Sequence, residues 1–238
     1  MSLKAIPDKY YSWLKYILVG SGIILTFSCI YQIFAAIYSQ PRLIISDEVN
    51  NSMTIGLANV LEEQIKEWQP GLFLETYAVT YQIAGPEPPF LTGQANFRFA
   101  GRRQDWMGNW LSQFNANHVI LRVGVSVEQR KIVDYSYSHG QPFGFDAPLN
   151  LVDWPINERE LLKICGQYGG NDFQTAFEVE FVHVDADFTR PGRGWTVAYS
   201  DNASPKYFNC LVNIDSGEIS IKSEYNDWQN VGNLYSNR

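Results

Sequence analysis

The run from Ile17 to Tyr38, ILVGSGIILTFSCIYQIFAAIY, constrains this chain more than any other stretch, because it contains no charged residue. At about 1.5 Å rise per residue such a run reaches roughly 33 Å as a helix, enough to cross a hydrocarbon core of about 30 Å. Its polar members are small or uncharged: Ser21, Thr26, Ser28 and Gln32. Tyr10, Tyr11, Trp13 and Tyr16 crowd one end and Tyr31, Phe34 and Tyr38 mark the other, the pattern of an aromatic belt at two membrane interfaces. Lys4, Lys9 and Lys15 precede the run and only Arg42 follows it closely. The positive-inside bias therefore predicts a cytoplasmic N-terminus (residues 1–16), a transmembrane signal-anchor (17–38) and an extracytoplasmic remainder, whether periplasmic, lumenal or extracellular. A cleaved secretory signal is the rival reading, but its apolar region is ordinarily about 7–15 residues long. A lipoprotein reading would need Cys29, and Thr26-Phe27-Ser28 before it lacks the small residues of a lipobox.

Beyond the run, residues 47–238 carry 14 Lys plus Arg against 24 Asp plus Glu, a net charge of −10. Such a body repels phosphate backbones, which removes nucleic acid as a partner, and it is repelled by anionic headgroups. About 190 residues suffice for a sizeable core, and 15% aromatic residues oppose disorder. Cys165 and Cys210 could form one disulfide in an oxidising compartment, or stay as two buried thiols.

The periodicity predicts an α+β fold of two units, each a helix followed by an antiparallel meander. In the first (47–137), a cap at Ser46 or Asp47 opens a helix. Val49, Met53, Leu57, Val60, Leu61, Ile65 and Trp68 form its apolar stripe, and Pro70-Gly71 closes it. Period-two runs follow over 72–83 and 94–100, then Val119 to Val127, then Ile132–Tyr137 after the turn Glu128-Gln129-Arg130-Lys131. Residues 138–155, rich in glycine and proline, read as a linker or long surface loop. In the second unit (156–238), Asn157 caps a helix with Glu158 and Glu160 in its first turn, and Gly169-Gly170 stops it. Phe177, Val179 and Phe181 are expected to face inward, followed by strands around Trp195–Tyr199, Phe208–Ile214 and Ile219–Ile221. The closing hairpins of the two units look alike: Val125-Ser126-Val127-Glu128 with Ile132, and Val212-Asn213-Ile214-Asp215 with Ile219.

Gly194-Trp195-Thr196-Val197 followed by Val212-Asn213-Ile214-Asp215-Ser216-Gly217-Glu218-Ile219 resembles the closing half of a PepSY-type domain, over about residues 156–222. In that family a helix precedes a meander, a tryptophan opens one strand, and the last hairpin turns through an Asp-x-x-Gly-like stretch. The resemblance implies an extracytoplasmic or membrane-linked module that binds or regulates other proteins. It brings no catalytic constellation, so no site residue is carried over.

The sequence holds no GxSxG elbow, Walker loop, dinucleotide-binding glycine pattern, HExxH or CxxC, and no cofactor is implied. His183-Val184-Asp185-Ala186-Asp187 would place His183, Asp185 and Asp187 on one strand face, as a metal site could need. An EF-hand is excluded by Arg190 and Thr196, which stand where that loop needs glycine and glutamate, and a solvated strand end accounts for the cluster. The candidate partner-binding residues are Arg98, Arg102 and Arg103, a small basic group in an acidic body, with Trp106 and Trp110 in the polar loop that follows. The leading expectation is a non-catalytic accessory or assembly subunit that binds other proteins of a membrane complex. The alternatives are a PepSY-type regulatory or sensory module and a membrane-tethered hydrolase.

Overall fold

The computed structural model describes residues 8–38, 40–45, 54–83, 92–104, 118–139, 148–177, 179–187, 193–200, 206–224 and 226–236. The chain divides into two compact units, Met1–Gln40 and Pro41–Arg238. The first holds one helix, α1 (Asp8–Tyr38). Its stretch Trp13–Phe34 has a mean hydropathy of 1.9 and no residue buried inside the protein, so it is long and apolar enough to cross a membrane. Two hydroxyls in it are satisfied locally: Ser21 donates to the Leu18 carbonyl and Thr26 to the Gly22 carbonyl. That is how a helix in apolar surroundings keeps such groups from going unpaired.

The second unit is built on one nine-stranded antiparallel sheet of order β4-β3-β2-β1-β5-β6-β7-β8-β9. Helix α2 (Thr54–Trp68) precedes β1 (Leu72–Gln82), β2 (Thr92–Arg102), β3 (His118–Ser126) and β4 (Lys131–His139). Helix α3 (Glu158–Cys165) and helix α4 (Asn171–Phe177) precede β5 (Phe181–Asp187), β6 (Gly194–Ser200), β7 (Tyr207–Asn213), β8 (Glu218–Ser223) and β9 (Asn226–Asn233). The two expected units are not separate bodies: Pro41–Arg238 is one compact unit, and its two helix-then-strands halves share one sheet. Their first strands pair antiparallel, from Tyr77 opposite Ala186 to Gln82 opposite Phe181, and each meander runs outward from that seam. The similar hairpins noted in the sequence join the third and fourth strands of each half, β3–β4 and β7–β8.

The core lies between one sheet face and the helices. Ala58, Leu61 and Ile65 of α2 and Leu161, Leu162 and Cys165 of α3 are buried against it. On the sheet side Tyr77 packs on Phe97 and, edge to face, on Trp195, which meets Trp154 at 5.0 Å between ring centroids. Full burial of each such aliphatic side chain contributes roughly 1.5–3 kcal/mol.

Asn157 caps α3 as the sequence predicts, in a reciprocal capping box with Glu160. Glu158, expected only to favour the helix dipole, is instead buried and accepts hydrogen bonds from the Tyr77 and Tyr81 hydroxyls of β1. Cys165 and Cys210 form a disulfide with a Cα–Cα separation of 5.7 Å, tying the end of α3 to β7.

Four expectations need correction. Gly169-Gly170 does end the first helical run, Tyr168 and Gly169 (φ 120°) leaving helical geometry, but a second helix that was not expected, α4, starts at Asn171. Val179 is buried and Phe177 packs against the core as expected, but β5 starts only at Phe181 and turns Val182, Val184 and Ala186 inward in place of Phe181. The described part of the 138–155 stretch does not lie wholly at the surface. His139 still belongs to β4, while Leu149, Leu151, Trp154 and Ile156 enter the core and the Leu149 amide donates to the Leu74 carbonyl. Finally, β9 was not expected at all. The proposed cap at Ser46 or Asp47 lies outside the described residues.

The body opens with a short strap, Pro41–Ile45. The Gln64 side chain of α2 brackets Ile44, donating to its carbonyl and accepting from its amide at 2.7 Å each, and the Tyr135 hydroxyl of β4 donates to the Pro41 carbonyl. Burial raises the pKa of that phenol.

Candidate functional site

A cleft of about 740 Å³ opens where α2 passes over the paired ends of β1 and β2. One wall is a single helical face of α2, the i, i+3, i+4, i+7 series Asn59, Glu62, Glu63 and Lys66. The adjoining face carries Ala58, Leu61 and Ile65 into the core, so the amphipathic pattern leaves this charged stripe along the flank of the helix. The floor is Gly71, Leu72 and Phe73 of β1 and its approach, with Gly101 of β2. The second wall is Arg102, Gln104 and His118, and the segment with Pro148, Asn150 and Asp153 closes one end.

Two glycines make the floor possible. A Cβ on Gly71 would collide with the Arg102 carbonyl oxygen, and one on Gly101 with the Gly71 carbonyl oxygen. The two backbones therefore meet without side chains between them, and Arg102 is carried to the cleft wall.

The charges in the cleft are partly paired. Lys66 meets Glu62 at 2.8 Å, an i, i+4 pair on the exposed helix face. Asn150 Nδ2 donates to Asp153 Oδ2 at 2.5 Å. Arg102 is exposed, and its Nε donates to His118 Nε2 at 3.3 Å. That bond requires the His118 lone pair at Nε2 and leaves the Arg102 Nη groups for a further acceptor. Glu63 is exposed on the facing wall.

The three arginines singled out in the sequence are thus separated. Arg98, 8% exposed, gives its Nε to Glu75 Oε2 at 2.5 Å, and Glu75 is fully buried at the β-bulge between Leu74 and Thr76. Such a buried pair satisfies its own charges and is not offered to a partner. Arg103 is likewise buried, at 4% exposure. Only Arg102 faces the cleft. Trp106 and Trp110 lie outside the described residues, in the stretch that follows Gln104. Sequence reasoning found Arg102 but missed Glu63, Asp153 and His118, because the cleft joins residues from four separate segments. The α2 stripe Asn59–Lys66 was the one legible signal.

His183 and Asp185 sit half-buried on the sheet face opposite the helices, where His183 Nδ1 shares a hydrogen bond with Thr80 Oγ1 at 2.9 Å. Among the described residues no group of three or more His, Cys, Asp or Glu side chains gathers as a metal site would require.

A second built corner lies at the β7–β8 turn. Asn213 Oδ1 accepts from the Asp215 and Ser216 amides, and Gly217 takes the left-handed conformation at φ 74°. Asp215 accepts from the Arg193 amide and, at Oδ1, from Arg193 Nε and Nη2 at 3.1 and 2.7 Å. The hydrogen bond from Arg193 holds the Asp215 carboxyl below its ordinary range, and the same bond raises the guanidinium. The Tyr235 hydroxyl donates to the Ile214 carbonyl, pinning the C-terminal segment to this turn.

No family model matches the chain, and no curated protein does. Among solved structures, a candidate lipoprotein of Clostridium difficile 630 is similar over 71% of this chain and 91% of its own, with 6% sequence identity and a TM-score of 0.42. A likeness of that degree assigns neither family nor function.

Proposed function

We propose that this is a single-pass membrane protein whose body, held in an extracytoplasmic compartment, binds other proteins as an accessory or assembly subunit of a membrane complex. The observation that carries the reading is α1: a helix whose apolar stretch Trp13–Phe34 has none of its residues buried in the protein needs a lipid or protein environment of its own. The disulfide Cys165–Cys210 supports the orientation, since such bonds persist in oxidising compartments beyond the cytoplasmic membrane. The open charged cleft on α2 supports binding as the task of the body.

Gentle detergent extraction of the full-length chain from its native membrane, followed by native sizing and mass spectrometry, tests this. A stoichiometric companion that survives washing is expected. A chain that runs alone at 27.2 kDa removes the subunit reading. Protease protection of N- and C-terminal tags in sealed vesicles reads the orientation: the C-terminal tag is expected on the extracytoplasmic side.

A second reading, a PepSY-type regulatory module, draws support from the order of α3 and the β5–β8 meander, with Trp195 opening β6 and the built turn at Asn213–Gly217. Stabilisation by a small ligand without any protein companion would favour it.

A further inference from the structure

We propose that the cleft on α2 is a docking groove for an extended peptide segment of the partner, one that carries both an acidic and a basic side chain. The inference deepens the protein-binding reading above and rests on it. Charge is divided between the α2 side of the cleft and the side that carries Arg102. On the α2 side Lys66 pairs with Glu62, which leaves the exposed Glu63 carboxylate, and Asp153, already bonded to Asn150 and in the field of Arg193, adds a second acid to the lining.

On the opposite wall, among the described residues, Arg102 is the cation, with His118 beside it. The bond from Arg102 Nε to His118 Nε2 occupies one of five N–H donors and orients the guanidinium plane, so the Nη donors are set for a carboxylate. A ligand of one sign meets repulsion from one wall: phosphate groups would face Glu63 and Asp153, and a polyamine would face Arg102. A segment with both signs is opposed by neither.

The polar ends of Asn59, Gln104 and Asn150 provide donors and acceptors for peptide groups, and Pro70, Phe73 and Pro148 provide apolar contact. The volume, about 740 Å³, lies within the range of sites that enclose a short ligand.

The test uses the full-length chain in lipid nanodiscs and fluorescein-labelled ten-residue Gly-Ser peptides, read by fluorescence polarisation. The peptides contain one Asp and one Lys at spacings of two to five residues, or Asp alone, Lys alone, or neither. At least one Asp-plus-Lys peptide is expected to bind about tenfold tighter than every single-charge peptide. Arg102→Glu should abolish that preference, and Glu63→Lys should weaken it and shift it towards peptides with Asp alone. Both positions are exposed, and a thermal melt that matches the parent chain confirms that each variant is folded. Binding that is indifferent to peptide charge, or to both substitutions, overturns the proposal. Absence of peptide binding also overturns it. If the native companion nevertheless survives extraction, the partner docks elsewhere and the protein-binding reading stands; if the companion is missing too, both fall.

Discussion

Glu158 is read from the sequence as a first-turn acid, and its sequence neighbours justify that role: Asn157 caps, Glu160 closes the box, and the dipole favours both carboxylates. Its inward turn depends on Tyr77 and Tyr81, which lie 81 and 77 positions earlier, and no local pattern records such a partner. Tyr81→Phe removes one donor from a buried carboxylate and should cost about 1–3 kcal/mol in urea unfolding, with a non-additive result when combined with Glu158→Gln. Additivity would mean that the two groups do not interact. The Arg193–Asp215 pair gives a pH signature. Asp215 titrates below its ordinary value in the folded chain, so the pair's stabilisation is present above the ordinary value of 3.8 and is lost as pH falls below it towards the folded value. Both side chains are more than a third exposed, so solvent screening limits the effect to roughly 0.2–1 kcal/mol. The stability difference between the parent chain and Asp215→Asn should therefore shrink to nothing on acidification.

At the scale of elements, the sequence marks where helices and strands occur better than how they end. Gly169-Gly170 has the composition of a stop, and Gly169 does leave helical geometry, but Asn171 restarts a helix one residue after Gly170. The strand after α4 shows how much one residue matters. A reading that begins at Phe177 places Val179 correctly in the core, but carried on through Phe181 it misses the change of parity by which β5 buries Val182, Val184 and Ala186. Residues 148–156 mislead for another reason: Pro148 and Pro155 signal a loop, yet Leu149, Leu151, Trp154 and Ile156 enter the core at irregular spacing that matches neither period. Two predictions belong here. Replacing both Cys165 and Cys210 by Ala opens a covalent loop spanning 45 positions and should lower stability by about 4 kcal/mol, seen equally on reduction of the parent chain. Gly71→Ala drives a methyl group into the Arg102 carbonyl and should cost about 1–3 kcal/mol through forced separation of the β1–β2 ends.

For the whole molecule, the α+β class and the two helix-plus-meander halves were legible from periodicity, and the seam between them was not. The β1–β5 pairing joins residues about a hundred positions apart, such as Thr80 and His183, and nothing in either strand's composition names its partner. A shared sheet has a measurable consequence. Urea unfolding of the body should follow one transition, the same by tryptophan fluorescence and by far-ultraviolet circular dichroism. Two separated transitions would mean that the halves fold independently. In the candidate site, Arg102 was legible as one member of a basic group; its separation from Arg98 and Arg103 followed only from the backbone, which buries those two.

Whether a membrane-anchored body holds a partner at the α2 cleft is decided by a photo-crosslinking residue at Gln104, on the rim of that cleft, in the full-length chain in its native membrane. Irradiation is predicted to give one discrete adduct with a protein of that membrane, absent when Arg102→Glu is introduced in the same chain. No adduct from Gln104, together with a chain that sizes alone at 27.2 kDa, would contradict it.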